Sequence, residues 1–94
     1  MAIRSFRDKA TRDFHNDGVC PPKWRVFQRV AEQKLDMLEA ADALIDLASP
    51  PGNRLEKLKG DRKGQYSIRI NQQFRICFNW SPQGAESVEI VDYH

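Results

Sequence analysis

The period of the apolar residues changes once along this chain, at Pro50-Pro51-Gly52. Before it, Trp24, Phe27, Ala31, Leu35, Leu38 and Ile45 recur at helical spacing and define one apolar face. After it, Tyr66, Ile68 and Ile70, then Phe74, Ile76, Phe78 and Trp80, alternate with polar residues, the period of a strand covered on one side. Two prolines and a glycine stop a helix decisively. Helices first and hairpin-linked strands afterwards predict an α+β fold, a compact antiparallel-dominated sheet with the N-terminal helices packed on one face. A chain of 94 residues has room for one core. Residues 1–94 are therefore expected to form a single domain, with a helical half over about 8–48 and a sheet half over about 54–94.

Local signals fill in this outline. Ala2–Arg7 reads as a short strand, and Ser5 followed by Asp8 resembles a helix start. Phe6, Ala10 and Phe14 then recur at four-residue spacing up to Gly18, predicting a helix over 8–16. Pro21-Pro22 opens the next helix. Continued to Ala48 it would be about 39 Å long at 1.5 Å per residue, too long for so small a domain, so a break is expected near Ala40–Asp42. Strands are predicted at 54–59, 65–71, 74–80 and 87–93. No apolar run approaches the roughly 20 residues of a membrane span, and the first residues carry no signal-peptide pattern, so a cytoplasmic protein is expected. Cys20 and Cys77 lie far apart with no partners at metal-ligand spacing, so no metal site and no cofactor are expected.

Net charge is only +2, but the charge is unevenly spread. Residues 54–75 carry Arg54, Lys57, Lys59, Arg62, Lys63, Arg69 and Arg75 against Glu56 and Asp61, whereas residues 1–53 are balanced. Such a confined positive segment suits a polyanion. Its placement sharpens the point. If Ile70 pairs with Phe74 across a three-residue loop, Asn71–Gln73, both apolar sets face the core and Arg69 lies directly opposite Arg75. Like charges so placed destabilise a sheet by roughly 0.2–1 kcal/mol. Two guanidinium groups make sense there if they converge on phosphate. On an open face, removing either should change stability little. The last strand puts Val88 and Ile90 toward the core, leaves Val91 and Tyr93 on the arginine side, and is followed by His94.

The stretch "LKGDRKGQYSIRINQQFRICFNW" followed by "VEIVDYH" resembles the HigB-type toxins of bacterial toxin–antitoxin pairs, within the RelE/ParE superfamily. The resemblance covers nearly all of the chain and is strongest over 50–94. It implies a compact sheet flanked by helices and a ribosome-dependent endoribonuclease that enters the A site and cuts messenger RNA during translation. It implies as partners the ribosome, mRNA and a helix-turn-helix antitoxin of the HigA type, with operator DNA bound only through the antitoxin complex and no membrane. Carried over by motif, Lys59 of "LKGDR", Arg75 of "FRICF" and Asp92, Tyr93 and His94 of "DYH" match functional positions. Arg54, Lys57, Arg62, Lys63 and Arg69 are candidates for RNA or ribosome binding. In some members a histidine three residues before the motif lysine contributes to catalysis. Here that position holds Glu56, which can accept a proton but repels phosphate.

Under this reading the ribose 2′-OH attacks the adjacent phosphorus without a metal, Lys59 and Arg75 carry the developing charge, and Arg69 assists. His94 serves as acid or base, with Tyr93 stacking on a splayed base or positioning the 2′-OH and Asp92 orienting His94. Two other readings stay open: a ParE-like inhibitor of DNA gyrase, and an attenuated or non-catalytic RNA- or ribosome-binding module.

Overall fold

The computed structural model describes residues 2–92, so Met1, Tyr93 and His94 lie outside the described residues. Helix α1 spans Lys9–Asp17 and α2 spans Gln28–Ala40. The strands are β1 (Glu56–Lys57), β2 (Gln65–Arg69), β3 (Phe74–Ser81) and β4 (Gly84–Asp92), antiparallel and adjacent in chain order. No helix among the described residues is long and apolar enough to cross a membrane.

α1 is capped by Asp8, whose Oδ1 accepts from Thr11 N–H at 3.1 Å, and not by Ser5 as the sequence suggested. Ser5 is drawn away because its segment lies along β4, where its Oγ accepts from Ser87 N–H at 2.9 Å. Gly18 closes the helix at φ 71°, a left-handed conformation that glycine adopts without penalty. The residues after Pro21 first form a 3₁₀ helix over Pro22–Phe27 and only then become α2. The three-residue step from Trp24 to Phe27 suits both helix types, so spacing could not separate them. The break expected near Ala40–Asp42 is present: Ala41 is extended, and Asp46 Oδ2 accepts from both Asp42 and Ala43 N–H at 3.0 Å before a 3₁₀ turn over Leu44–Ala48.

The helices and one face of the sheet close a single core. Phe14, Trp24, Phe27, Ala31, Leu35 and Leu38 pack with Ile68, Ile76, Phe78, Val88 and Ile90, and Phe27 meets Phe74 with ring centroids 4.8 Å apart. Trp24 and Phe27 are thus core residues, buried as their spacing predicts. Thr11 ties α1 to the sheet by accepting from Ile90 N–H at 3.1 Å.

Three expectations for the strands change. The strand predicted at 54–59 is only the two residues Glu56–Lys57, because Arg54 takes a left-handed φ of 45° just before it. The Ala2–Arg7 segment forms isolated parallel bridges with β4, Ile3 to Ala85 and Phe6 to Val88, and shields that edge without becoming a regular strand. Strand β4 itself begins at Gly84, not 87. A bulge explains the error. Between Cys77 and Asn79 the register with β4 shifts, and Ser87 takes φ 53° as the extra residue. The alternation is therefore out of phase across Ser87, with Ala85, Val88 and Ile90 all buried. Gly84 is required where the N-terminal segment crosses, since a Cβ there would lie 2.2 Å from the Ala2 carbonyl oxygen.

Candidate active site

The hairpin of β2 and β3 has the register read from its pattern: Ile68 pairs with Ile76, and Arg69 with Arg75. Its loop is fixed by Asn71, whose Oδ1 accepts from Gln73 N–H at 2.8 Å and Phe74 N–H at 2.7 Å. The short strand β1 pairs Glu56 with Ser67, which puts Glu56 on the same side of the sheet as the two arginines, away from the helices. Arg54, Glu56, Arg69, Asn71, Gln72 and Arg75 line one pocket of about 280 Å³. Three arginines face one glutamate there.

The two facing arginines are not equivalent. Arg75 is only 9% exposed; its Nη1 donates to Glu56 Oε1 at 2.9 Å and its Nη2 to the Arg54 carbonyl at 2.6 Å. Arg54 presents that carbonyl from a left-handed backbone at φ 45°, a conformation uncommon outside glycine. Arg69 is half-buried and its Nε donates to the Asn71 carbonyl at 3.0 Å. The expectation that both arginines stand on an open face, and that losing either would matter little to stability, is corrected for Arg75. Its guanidinium is buried and braces β1 against the hairpin.

The same face is closed further along. Gln65, Ser67 and Cys77 are buried there, and so is Leu58 of the β1 edge. Arg62 spans the strands, with Nη1 3.1 Å from Gln65 Oε1 and 3.2 Å from Glu89 Oε2. Arg7 adds a second cation to Glu89 at 3.4 Å. Beneath them, burial pushes the Cys77 thiol up to about 11, with Arg62 opposing that rise and Glu89 adding to it. Arg62 is thereby tied into an ion pair. The sequence reading overlooked Glu89, although its position opposite Cys77 in the register marks it as an acid on the basic face.

The remaining candidates divide. Lys57, Lys59 and Lys63 are exposed around a different cleft and do not line the arginine pocket. Asp92 pairs with Phe74 at the end of β4, and its Oδ2 accepts from Gln73 Nε2 at 2.9 Å. Tyr93 and His94 lie outside the described residues. Asn71, expected on the arginine face at the end of the 65–71 strand, lines the pocket, and so does Gln72, expected only in the hairpin loop.

A profile of the family described as the RelE-like toxin of type II toxin–antitoxin system HigB matches residues 4–94. The chain belongs to this family of toxins. Toxin HigB-1 of Vibrio cholerae is 42% identical over 84 residues, covering 85% of this chain and 84% of that protein. A protein of Proteus vulgaris named endoribonuclease HigB is 30% identical over 98 residues, covering 98% and 99%. Among solved structures, the YoeB–YefM complex from Staphylococcus aureus contains a chain that matches with a TM-score of 0.60 at 18% identity, covering 100% of this chain and 99% of that one. The YoeB/ParE toxin from Agrobacterium tumefaciens matches with a TM-score of 0.51 at 20% identity over the whole of both chains. At such identity the likeness establishes the fold, two N-terminal helices on a four-stranded antiparallel sheet. Membership makes this HigB-family protein the toxin of a type II pair and implies a cognate antitoxin.

Proposed function

We propose that this toxin is an endoribonuclease that cuts messenger RNA on the ribosome, with Glu56, Arg69 and Arg75 at the scissile phosphate. The observation that carries the reading is the Glu56 carboxylate, 51% exposed, held 2.9 Å from the buried Arg75 guanidinium inside an arginine-lined pocket. A fixed proton acceptor beside fixed cations suits metal-free cleavage of RNA. The 2′-OH passes its proton to Glu56, its oxygen bonds to phosphorus, and the bond from phosphorus to the 5′-oxygen breaks. Arg69 and Arg75 take up the charge that grows on the phosphoryl oxygens. The leaving 5′-oxygen receives a proton, a role assigned here to His94, and the products end in a 2′,3′-cyclic phosphate and a 5′-hydroxyl. Atoms and protons balance without a co-reactant.

Glu56 in place of histidine then fits the site. Its repulsion of phosphate is offset by three arginines against one carboxylate. The Proteus vulgaris relative named as an endoribonuclease supports the reaction class over nearly the whole chain. We assign the ribosome, mRNA and a HigA-type helix-turn-helix antitoxin as partners, with operator DNA reached through the antitoxin, and the cytoplasm as the place of action.

Translating a defined message in an extract and mapping new 5′ ends tests the reading. Cuts restricted to translated RNA are expected for the wild type, and far fewer for Glu56→Gln. Intact message alongside stalled replication would support gyrase inhibition instead. Intact message bound tightly by the protein would mark a binding module.

A further inference from the structure

Asn53 is fully buried where the helical half of the chain passes into the sheet half. Its Nδ2 donates to the Leu47 carbonyl at 3.1 Å and the Ser49 carbonyl at 3.3 Å, and its Oδ1 accepts from Lys34 Nζ on α2. Its backbone N–H donates to the Pro50 carbonyl at 2.9 Å. The connection from Leu47 to Asn53 is thus closed on itself and tied to α2 through one amide. Lys34 is half-buried, and burial lowers its pKa from the ordinary lysine value, so its ammonium has given up water that the Asn53 oxygen replaces. Neither Lys34 nor Asn53 lines the arginine pocket.

The next residue along the chain does reach it. Arg54 follows Asn53 with φ 45°, and its N–H donates to the Pro51 carbonyl at 3.1 Å. A residue with a side chain stays in that sparsely populated region only where its surroundings over-determine it. The anchored amide of Asn53 is such a constraint, one peptide bond away. Held this way, the Arg54 carbonyl accepts from Arg75 Nη2 at 2.6 Å, while Arg75 Nη1 donates to Glu56 at 2.9 Å. A continuous strut therefore runs from Lys34 on α2 through Asn53 and Arg54 to Arg75 and Glu56 on the other side of the sheet.

We propose that Lys34 and Asn53 are positioning residues for the Arg75–Glu56 pair, acting through the Arg54 carbonyl and not by touching RNA. The proposal rests on the ribonuclease reading for what that pair does, but the coupling along the strut can be measured without cleavage.

Asn53 is too deeply buried for its removal to separate positioning from folding, so Lys34 carries the test. Lys34→Met keeps the apolar stem and removes the donor, whereas Lys34→Arg keeps a donor. A double-mutant cycle of Lys34→Met with Arg75→Ala, read as urea unfolding midpoints, should be non-additive, the double variant losing less than the sum of the two single losses. In single-turnover cleavage on translating ribosomes, Lys34→Met should lower the saturated rate about tenfold, since a small misplacement of reacting groups is costly. The protein concentration giving half that rate should stay within about twofold, and Lys34→Arg should recover the rate to within about threefold of wild type. Additive midpoints would overturn the proposal, and so would an undiminished rate in Lys34→Met or a Lys34→Arg variant as slow as Lys34→Met. A loss seen only in the half-saturating concentration would also overturn it, by making Lys34 a docking contact. A non-additive cycle in a wild type that never cuts would sink the ribonuclease reading and leave the strut standing.

Discussion

Arg75–Glu56 and Arg62–Glu89 are two ion pairs on the same face of the same sheet, with N–O distances of 2.9 and 3.2 Å, and their burial is inverted. In the first the cation is buried, with its side chain 11% exposed, and the carboxylate is half-exposed at 51%. In the second the carboxylate is largely covered, at 12%, and the cation is a third exposed. A buried cation beneath an open carboxylate holds that carboxylate still and leaves it free to meet a ligand. A buried carboxylate beneath more exposed cations is spent on closing the sheet over Cys77. Composition cannot distinguish the two, because each contributes one arginine and one glutamate.

Exchanging charge for shape at the two glutamates is the strongest way to break this contrast. Glu56→Gln should slow cleavage by about 10²-fold or more, the usual worth of a positioned acid–base group. Glu89→Gln should cut at nearly the wild-type rate. Similar cleavage losses in both, measured in a translating extract, would erase the distinction.

Stability should show the opposite order. Glu89→Ala strips two cations of their buried partner and should cost about 1–3 kcal/mol in urea unfolding, while Glu56→Gln, half in solvent and still able to accept a hydrogen bond, should stay within about 1 kcal/mol. A Glu56 variant less stable than the Glu89 variant would show that the Arg75 pair is the structural one.

The facing arginines extend the comparison at smaller amplitude. Arg75→Ala should destabilise by about 1–3 kcal/mol through the loss of its bonds to Glu56 and the Arg54 carbonyl. Arg69→Ala should remain within about 0.5 kcal/mol and still weaken cleavage. Equal unfolding midpoints for the two would return them to the equivalence suggested by their pairing.

Cys77 reports on the closed pair with the smallest expected effect. Because burial raises the thiol to about 11 from an ordinary 9.0, the folded state favours the protonated form. That preference is fully present below pH 9 and is lost as pH rises toward 11. Cys77 should therefore resist alkylation at pH 8 in the folded wild type and react sooner in Glu89→Ala, as followed by mass spectrometry. Rapid labelling of the wild type would show the face to be open there.

Much of this was legible in one dimension. The change of period at Pro50-Pro51-Gly52 implied helices packed on one side of a sheet, and the alternation over 65–80 fixed the register that sets Arg69 opposite Arg75. Where the reading failed, a local rule was overridden by a distant contact. Ser5 lost its cap to Ser87, 82 residues away, and the bulge at Ser87 hid the start of β4. Glu56 could be seen in the sequence only as a departure, since nothing local shows that its carboxylate meets a guanidinium 19 residues on.

The sequence by itself determined which side chains share a face, because strand geometry sends alternate residues to opposite sides and a one-residue slip would expose the whole apolar set. It also determined that the positive charge would gather between residues 54 and 75. Tertiary structure decided how those charges are divided: Arg75 to Glu56, Arg62 to Glu89, and Lys57, Lys59 and Lys63 to a cleft of their own. The physical reason is that the strength and use of an ion pair depend on which partner is removed from water, and burial is set by neighbours far apart in the chain.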